Sequence, residues 1–188
     1  MGACVTIRVG WVSGSLRAAS LHGMLGRSLA SLTKVDVAWV PLRYDALPMY
    51  NEDVGQPAEV TAWVESLRGL DALIVLTPEY NHSLPGGLKN AIDWASRPAY
   101  RSVLAGLPLG LISGSPGAIG GARAQAHARN VFAGLLTPVY PGLEVAIGGM
   151  GSKVGPEGVT DPATAKFVGD WLDGFLAWAQ ATGRRHAG

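Results

Sequence analysis

Ala72-Leu73-Ile74-Val75-Leu76-Thr77 is an unbroken apolar run, followed directly by Pro78-Glu79-Tyr80-Asn81-His82-Ser83-Leu84-Pro85-Gly86-Gly87. A strand that is apolar at every position, not at alternate ones, is buried on both faces, as in a parallel sheet covered by helices. The Pro-Gly-Gly step opens a helical pattern through Trp94, so this segment reads strand, loop, helix. The same alternation extends outward. Val5 to Val12 reads as a strand, and residues 20–33 carry Leu21, Met24, Leu25, Leu29 and Leu32 at helical spacing. Val35 to Val40 is a second strand, ended by Pro41, and 41–57 is a long loop holding Pro48 and Pro57. Ala58 to Arg68 is helical, with Gly69 as its stop. Leu107 to Ser113 is a strand, Gly121 to Leu135 a helix and Leu143 to Ile147 a short strand. Thr160-Asp161-Pro162 caps a last helix through Ala179, and the tail from Thr182 is expected to fray.

This order predicts one α/β domain over residues 1–188. Five strands suit the doubly wound, flavodoxin-like order 2-1-3-4-5 in three α/β/α layers better than a six-stranded dinucleotide fold. Composition narrows the function classes. With 15 Lys+Arg against 14 Asp+Glu the net charge is +1, so neither a nucleic-acid binder nor an acidic tail protein is expected. Charged residues are 15 %, against roughly 25 % in an average protein. Single Cys4 forms no internal disulfide. His22, His82, His127 and His186 are scattered, so no metal site is expected. No apolar run approaches a membrane span and no signal peptide is read, which makes a cytoplasmic protein the expectation. Met1-Gly2-Ala3-Cys4-Val5-Thr6 fits an N-myristoylation pattern, but a strand starting at Val5 leaves no tether for a lipid.

In the order 2-1-3-4-5 the switch point lies between strands one and three, where ligands bind beyond the carboxyl ends. The loops after strands one, three and four converge there. The first, Ser13-Gly14-Ser15-Leu16-Arg17-Ala18-Ala19-Ser20, joins a strand to a helix start, offering free amides, hydroxyls and an arginine to a phosphate. It has no Gly-Lys-Ser/Thr and no Gly-x-Gly-x-x-Gly, so it is neither a triphosphate loop nor a dinucleotide fingerprint. The second, Thr77 to Gly87, is stiffened by prolines and suits the polar edge of a flat heterocycle, with Tyr80 and His82 beside it. The third, Ser113-Gly114-Ser115-Pro116-Gly117-Ala118-Ile119-Gly120-Gly121, lets a ligand approach the main chain, although Gly120-Gly121 also reads as a flexible turn.

Ser15-Leu16-Arg17-x-x-Ser20, Pro78-Glu79-Tyr80-Asn81, the Gly87-Leu88-Lys89-Asn90-Ala91-Ile92-Asp93-Trp94 helix and Gly120-Gly121-Ala122-Arg123-Ala124-Gln125 together resemble the NADPH-dependent FMN reductase family, in register over 5–147. The resemblance implies a flavodoxin-like fold, non-covalent FMN and a homodimer or homotetramer. It also implies transfer of reducing equivalents from NADPH or NADH to a small acceptor such as a quinone, an azo compound, chromate or free flavin. It places the phosphate on the loop matching Ser15, Arg17 and Ser20, where the loop's own composition adds the Ser13 hydroxyl, and the ring against Pro78, Glu79, Tyr80, Asn81, Ser113, Gly114, Ser115 and Gly117. Where the family often has Asn, this chain has His22, which either donates to phosphate or ribityl oxygens, titrating near neutral pH, or faces outward. The cofactor carries the chemistry, so no acid–base dyad is assigned. Backbone donors at Glu79 to Asn81 are expected to steady negative charge on the flavin, and the loop at Leu47 to Asn51 to select the acceptor. From Trp94 to Leu143 there is no Asp or Glu, but there are Arg97, Arg101, Arg123 and Arg129. Arg97 and Arg101 are candidates for the NADPH phosphates, from this chain or a neighbouring subunit, or are solvated ends of a helix. A flavodoxin-type electron carrier and a non-catalytic FMN-binding protein are the rival readings.

Overall fold

The computed structural model describes residues 6–184, so Met1 to Val5 of the acylation pattern lie outside the described residues. Five parallel strands form the main sheet: β1 (Ile7–Ser13), β2 (Val37–Leu42), β3 (Ala72–Pro78), β4 (Leu109–Gly114) and β5 (Val145–Ile147), in the order β2-β1-β3-β4-β5. Every residue of β3 and β4 is buried, the burial that their continuous apolar sequences require. Five helices cover the sheet: α1 (Leu21–Leu32), α2 (Ala58–Arg68), α3 (Gly86–Ala95), α4 (Ala122–Gly134) and α5 (Pro162–Thr182).

The two faces have separate cores. Leu25 and Leu29 of α1 and Val168, Leu172 and Phe175 of α5 pack with Val9, Ile74, Leu76 and Ile112. Val64 and Leu67 of α2, Leu88 and Ile92 of α3 and Phe132 of α4 pack with Val12, Val75 and Leu111 on the other side. Both helix layers therefore hold the strands so that the three loops emerge along one edge, astride the β1/β3 switch point.

Four details depart from the sequence expectation. Pro41 does not end β2; it lies in register with Trp11, and β2 runs to Leu42. This is an edge strand, where a missing N–H costs no ladder bond if it faces outward. Leu143, read as a strand start, is 75 % exposed, and β5 begins only at Val145. A 3-10 turn (Met150–Ser152) and a hairpin of β6 (Val154–Gly155) with β7 (Gly158–Val159) follow β5 and pack on α1. The expected fraying from Thr182 does not extend to Arg184, whose guanidinium donates to the carbonyls of Leu67, Arg68, Leu70 and Val103. No helix among the described residues is long and apolar enough to cross a membrane.

Candidate flavin site at the switch point

The first loop gathers hydroxyls at a helix start. Ser13 Oγ lies 3.3 Å from Ser20 Oγ and donates to the Ser15 carbonyl at 3.0 Å. Ser20 caps α1, its Oγ accepting from the Gly23 amide at 3.2 Å. The amides of Leu16, Arg17, Ala18 and Ala19 bond to no described residue, while Gly14 anchors the loop to the Leu76 carbonyl at 2.7 Å. Four free amides, three serines and the exposed Arg17 are groups that could hold one phosphate. It opens into a cleft of about 570 Å³ that extends toward Arg43, Tyr44 and Asp45.

The second loop is a two-residue turn. Tyr80 and Ser83 exchange backbone hydrogen bonds, both 3.0 Å. Asn81 (φ 50°) and His82 (φ 63°) occupy the left-handed region, as a type I′ turn demands and as non-glycine residues rarely do. The Tyr80 amide is thereby used, so of the backbone donors expected at Glu79 to Asn81 only those of Glu79 and Asn81 remain. Tyr80 stands 45 % exposed, and its hydroxyl reaches Ser15 Oγ at 3.5 Å, linking the second loop to the first.

Glu79 turns its carboxylate away from this rim. Oε2 accepts from the Arg123 and Ala124 amides at 3.1 and 3.4 Å, so it caps the start of α4 from across the sheet. Oε1 lies 3.5 Å from Arg123 Nη1 and 3.4 Å from His82 Nδ1. Desolvation alone would raise the Glu79 pKa, but the two amides and the guanidinium outweigh it and lower the pKa.

The third loop is braced from inside. Ser113 is fully buried, donating to the Gly120 carbonyl at 2.7 Å and accepting from Gln125 Nε2 at 3.1 Å, so its hydroxyl shapes the loop. Gln125, quoted in the motif without a role, also reaches the Val145 carbonyl. Ser115 sits at the rim with its amide on Ile147 and its hydroxyl on the Gly117 carbonyl. Gly120 is no loose turn. Its φ is +65°, and a Cβ there would meet the Ala146 carbonyl carbon at 2.5 Å, so only glycine lets the loop lie on β5. Pro78 and Gly114 end β3 and β4, and a Cβ on Gly114 would strike Met150 Sδ at 2.3 Å.

His22 takes neither expected position. It is 5 % exposed, behind Gly114, with Nε2 unpaired among the described residues. Burial lowers its pKa to about 4, with the main chain at Gly114 and Thr77 opposing, so the imidazole is neutral at pH 7 and does not titrate there. Arg97 is also otherwise engaged, 2.8 Å from Glu52 and 2.6 Å from the Tyr50 hydroxyl. Arg123 pairs with Glu79, and Arg129 lies 3.3 Å from Glu144. Three arginines of the acid-free stretch thus find acids outside it, which leaves Arg101 exposed without a described acidic partner. Arg97 and Arg101 follow the C-terminus of α3, about 15 Å along the helix from the second loop at 1.5 Å per residue.

Asn90 and Trp94, quoted in the motif without a role, hold the Leu47 to Asn51 loop. Asn90 accepts from the Tyr50 amide at 2.7 Å and donates to the Pro48 carbonyl at 2.9 Å, and Trp94 Nε1 donates to the same carbonyl at 2.8 Å. A buried asparagine on an otherwise apolar helix face was the available signal. Among the described residues no group of three or more His, Cys, Asp or Glu could hold a metal ion.

The β2-β1-β3-β4-β5 order, with a first loop of free amides and hydroxyls at the switch point and exposed Leu16, Tyr80 and Ile119 on the three loops, could hold a flavin mononucleotide and defines the class: a flavodoxin-like flavoprotein. Residues 7–151 match the family described as NADPH-dependent FMN reductase, and the chain belongs to that family. It is a flavin-dependent oxidoreductase using FMN and NAD(P)H. A 2-hydroxy-1,4-benzoquinone reductase of Burkholderia sp is 36 % identical over 179 residues, 94 % of this chain and 98 % of that one. A quinone reductase of Escherichia coli K12 is 41 % identical over 175 residues, 89 % and 92 % of the two chains. Among solved structures, the flavoenzyme NAD(P)H:(acceptor) oxidoreductase FerB of Paracoccus denitrificans superposes with a TM-score of 0.86 at 35 % identity, covering 95 % of this chain and all of that one.

Proposed function

We propose that this chain passes reducing equivalents from NAD(P)H to a quinone-type acceptor, with Ser13, Ser15, Arg17 and Ser20 around the FMN phosphate. The observation that carries the site is the convergence of free amides, hydroxyls and an unpaired arginine on the first loop, next to two preformed loops. Bound FMN supplies two-electron transfer between a reduced nicotinamide and the acceptor. The protein's part is placement. The first loop would hold the phosphate, and the Glu79 and Asn81 amides, the Ser115 to Gly117 rim and Tyr80 would hold the ring. His22 backs Gly114 as a neutral group and takes no proton at pH 7. The acceptor class rests on relatives that reduce quinones.

A homodimer or homotetramer is part of this reading. Met49, Val54 and Tyr100 are 79, 54 and 70 % exposed, and 15 % charged residues leave little to solvate such surface. A second copy is also the route by which Arg101 would meet the NADPH phosphates. Light scattering at micromolar concentration tests the assembly, and a monomer would remove it. Arg101→Ala tests the arginine, since an unchanged KM for NADPH would exclude it.

The deciding experiment is the visible spectrum of the purified protein before and after anaerobic NADPH, followed by steady-state NADPH oxidation with a small quinone. A yellow protein that bleaches with NADPH and turns over quinone is expected. A colourless protein that takes up no added FMN would reject the site. A flavoprotein that NADPH does not reduce would leave only a carrier or a flavin-binding module.

A further inference from the structure

Arg27 lies just past the first turn of α1 and folds back over it. Its Nη1 is 3.5 Å from the point a Cβ on Gly23 would occupy, and Ser20 Oγ is 3.9 Å from that same point. The guanidinium therefore sits at the start of the helix, where the backbone dipole is positive and a cation is disfavoured. No carboxylate among the described residues draws it there. The first turn of α1 contains no acidic residue, and the described arginine ion pairs engage Arg43, Arg68, Arg97, Arg123 and Arg129 but neither Arg17 nor Arg27. Asp45, the carboxylate on the cleft wall, is already held by Arg43 at 2.8 Å. Two guanidiniums with no ion pair among the described residues thus line one cleft with the serine hydroxyls.

We propose that Arg27 is the second guanidinium of the phosphate cradle, opposing Arg17, and that the pair matches the two negative charges of the FMN monoester. This rests on the reading that the first loop holds that phosphate. A monoester takes its second charge above a pKa of about 6, so Arg27 contributes most at and above neutral pH. It makes the site select FMN over riboflavin, which has the same ring and no phosphate.

The test is flavin binding by the apoprotein, followed by fluorescence quenching at pH 7 with FMN and with riboflavin. Arg27→Ala is an exposed helix position receiving the best helix former, so the fold is retained. A lost charge-assisted hydrogen bond corresponds to roughly a 10- to 100-fold rise in Kd. That rise is expected for FMN alone, with riboflavin affinity within about two-fold of wild type. Arg27→Lys recovers part of the loss. Arg43→Ala, in the same cleft but already paired, moves the FMN-to-riboflavin ratio little. Equal losses for both flavins, or an unchanged ratio, would overturn the role of Arg27 while leaving the site intact. A wild-type apoprotein that binds neither flavin would overturn both the site and this proposal.

Discussion

Gly120 offers a graded test of how the third loop is seated. Two costs meet in Gly120→Ala. The left-handed backbone at φ +65° costs an L-residue about 1–2 kcal/mol. The new Cβ also falls 2.5 Å from the Ala146 carbonyl carbon, 2.6 Å from its oxygen and 2.8 Å from the Gly148 nitrogen. These are main-chain atoms of and beside β5 and cannot swing aside, so an overpacking cost of about 1–3 kcal/mol adds to the first. The sum is on the order of 2–5 kcal/mol. With a urea m-value of about 1–3 kcal/mol/M, the unfolding midpoint falls by roughly 1–2 M. Two other glycines separate the costs. Gly149 is left-handed (φ 60°, ψ 32°) and its Cβ would meet only Ser152 Oγ at 3.8 Å, so Gly149→Ala carries the backbone cost alone, about 1–2 kcal/mol. Gly117 has no positive φ, and its Cβ would meet only Ser115 Oγ at 3.8 Å, so Gly117→Ala stays within about 0.5 kcal/mol. Urea melts of all three, followed by circular dichroism, should rank Gly120, Gly149, Gly117. Equal midpoints for the Gly120 and Gly149 variants would refute the seating of the loop on β5.

Three further outcomes follow from the site. His22 has an ordinary pKa of 6.5 when unfolded and about 4 when folded, so the unfolded state binds the proton first and stability falls as pH drops from 6.5 toward 4. The loss is about 3 kcal/mol at 1.36 kcal/mol per pKa unit. His22→Asn should flatten that part of the stability–pH curve, and a parallel curve would show that the imidazole is not buried neutral. Glu79 has its pKa lowered, so its advantage over Glu79→Gln is present at pH 7 and lost as pH falls through the folded carboxyl's titration. Melting temperatures of the two proteins should converge in acid, and a constant gap would argue against the ionised cap. Asn90→Ala removes two loop hydrogen bonds and should cost about 1–3 kcal/mol. It should also raise KM for the quinone while sparing FMN affinity; an unchanged KM would separate the Leu47 to Asn51 loop from the acceptor.

The strand–helix alternation was legible because β3 and β4 are apolar throughout, and central parallel strands must be. The three loops were legible for the same reason, since strand order alone fixes where they meet. Pro41 misled because it was read as a strand stop, whereas the order 2-1-3-4-5 puts strand two at the edge, where a proline is tolerated. Two-residue strands such as β6 and β7 carry no measurable period, although Gly155 and Gly158 mark their turn. The ion pairs of Arg97 with Glu52 and of Arg123 with Glu79 were not legible, because the fold alone brings those partners together. His22 looked like a ligand because it stands where the family often has Asn, while its burial was not visible.

The Glu79 cap joins the second loop to the helix that leaves the third, and Ser113 and Gln125 lock the third loop to itself. Loops tied from behind in this way are held in place before any ligand arrives.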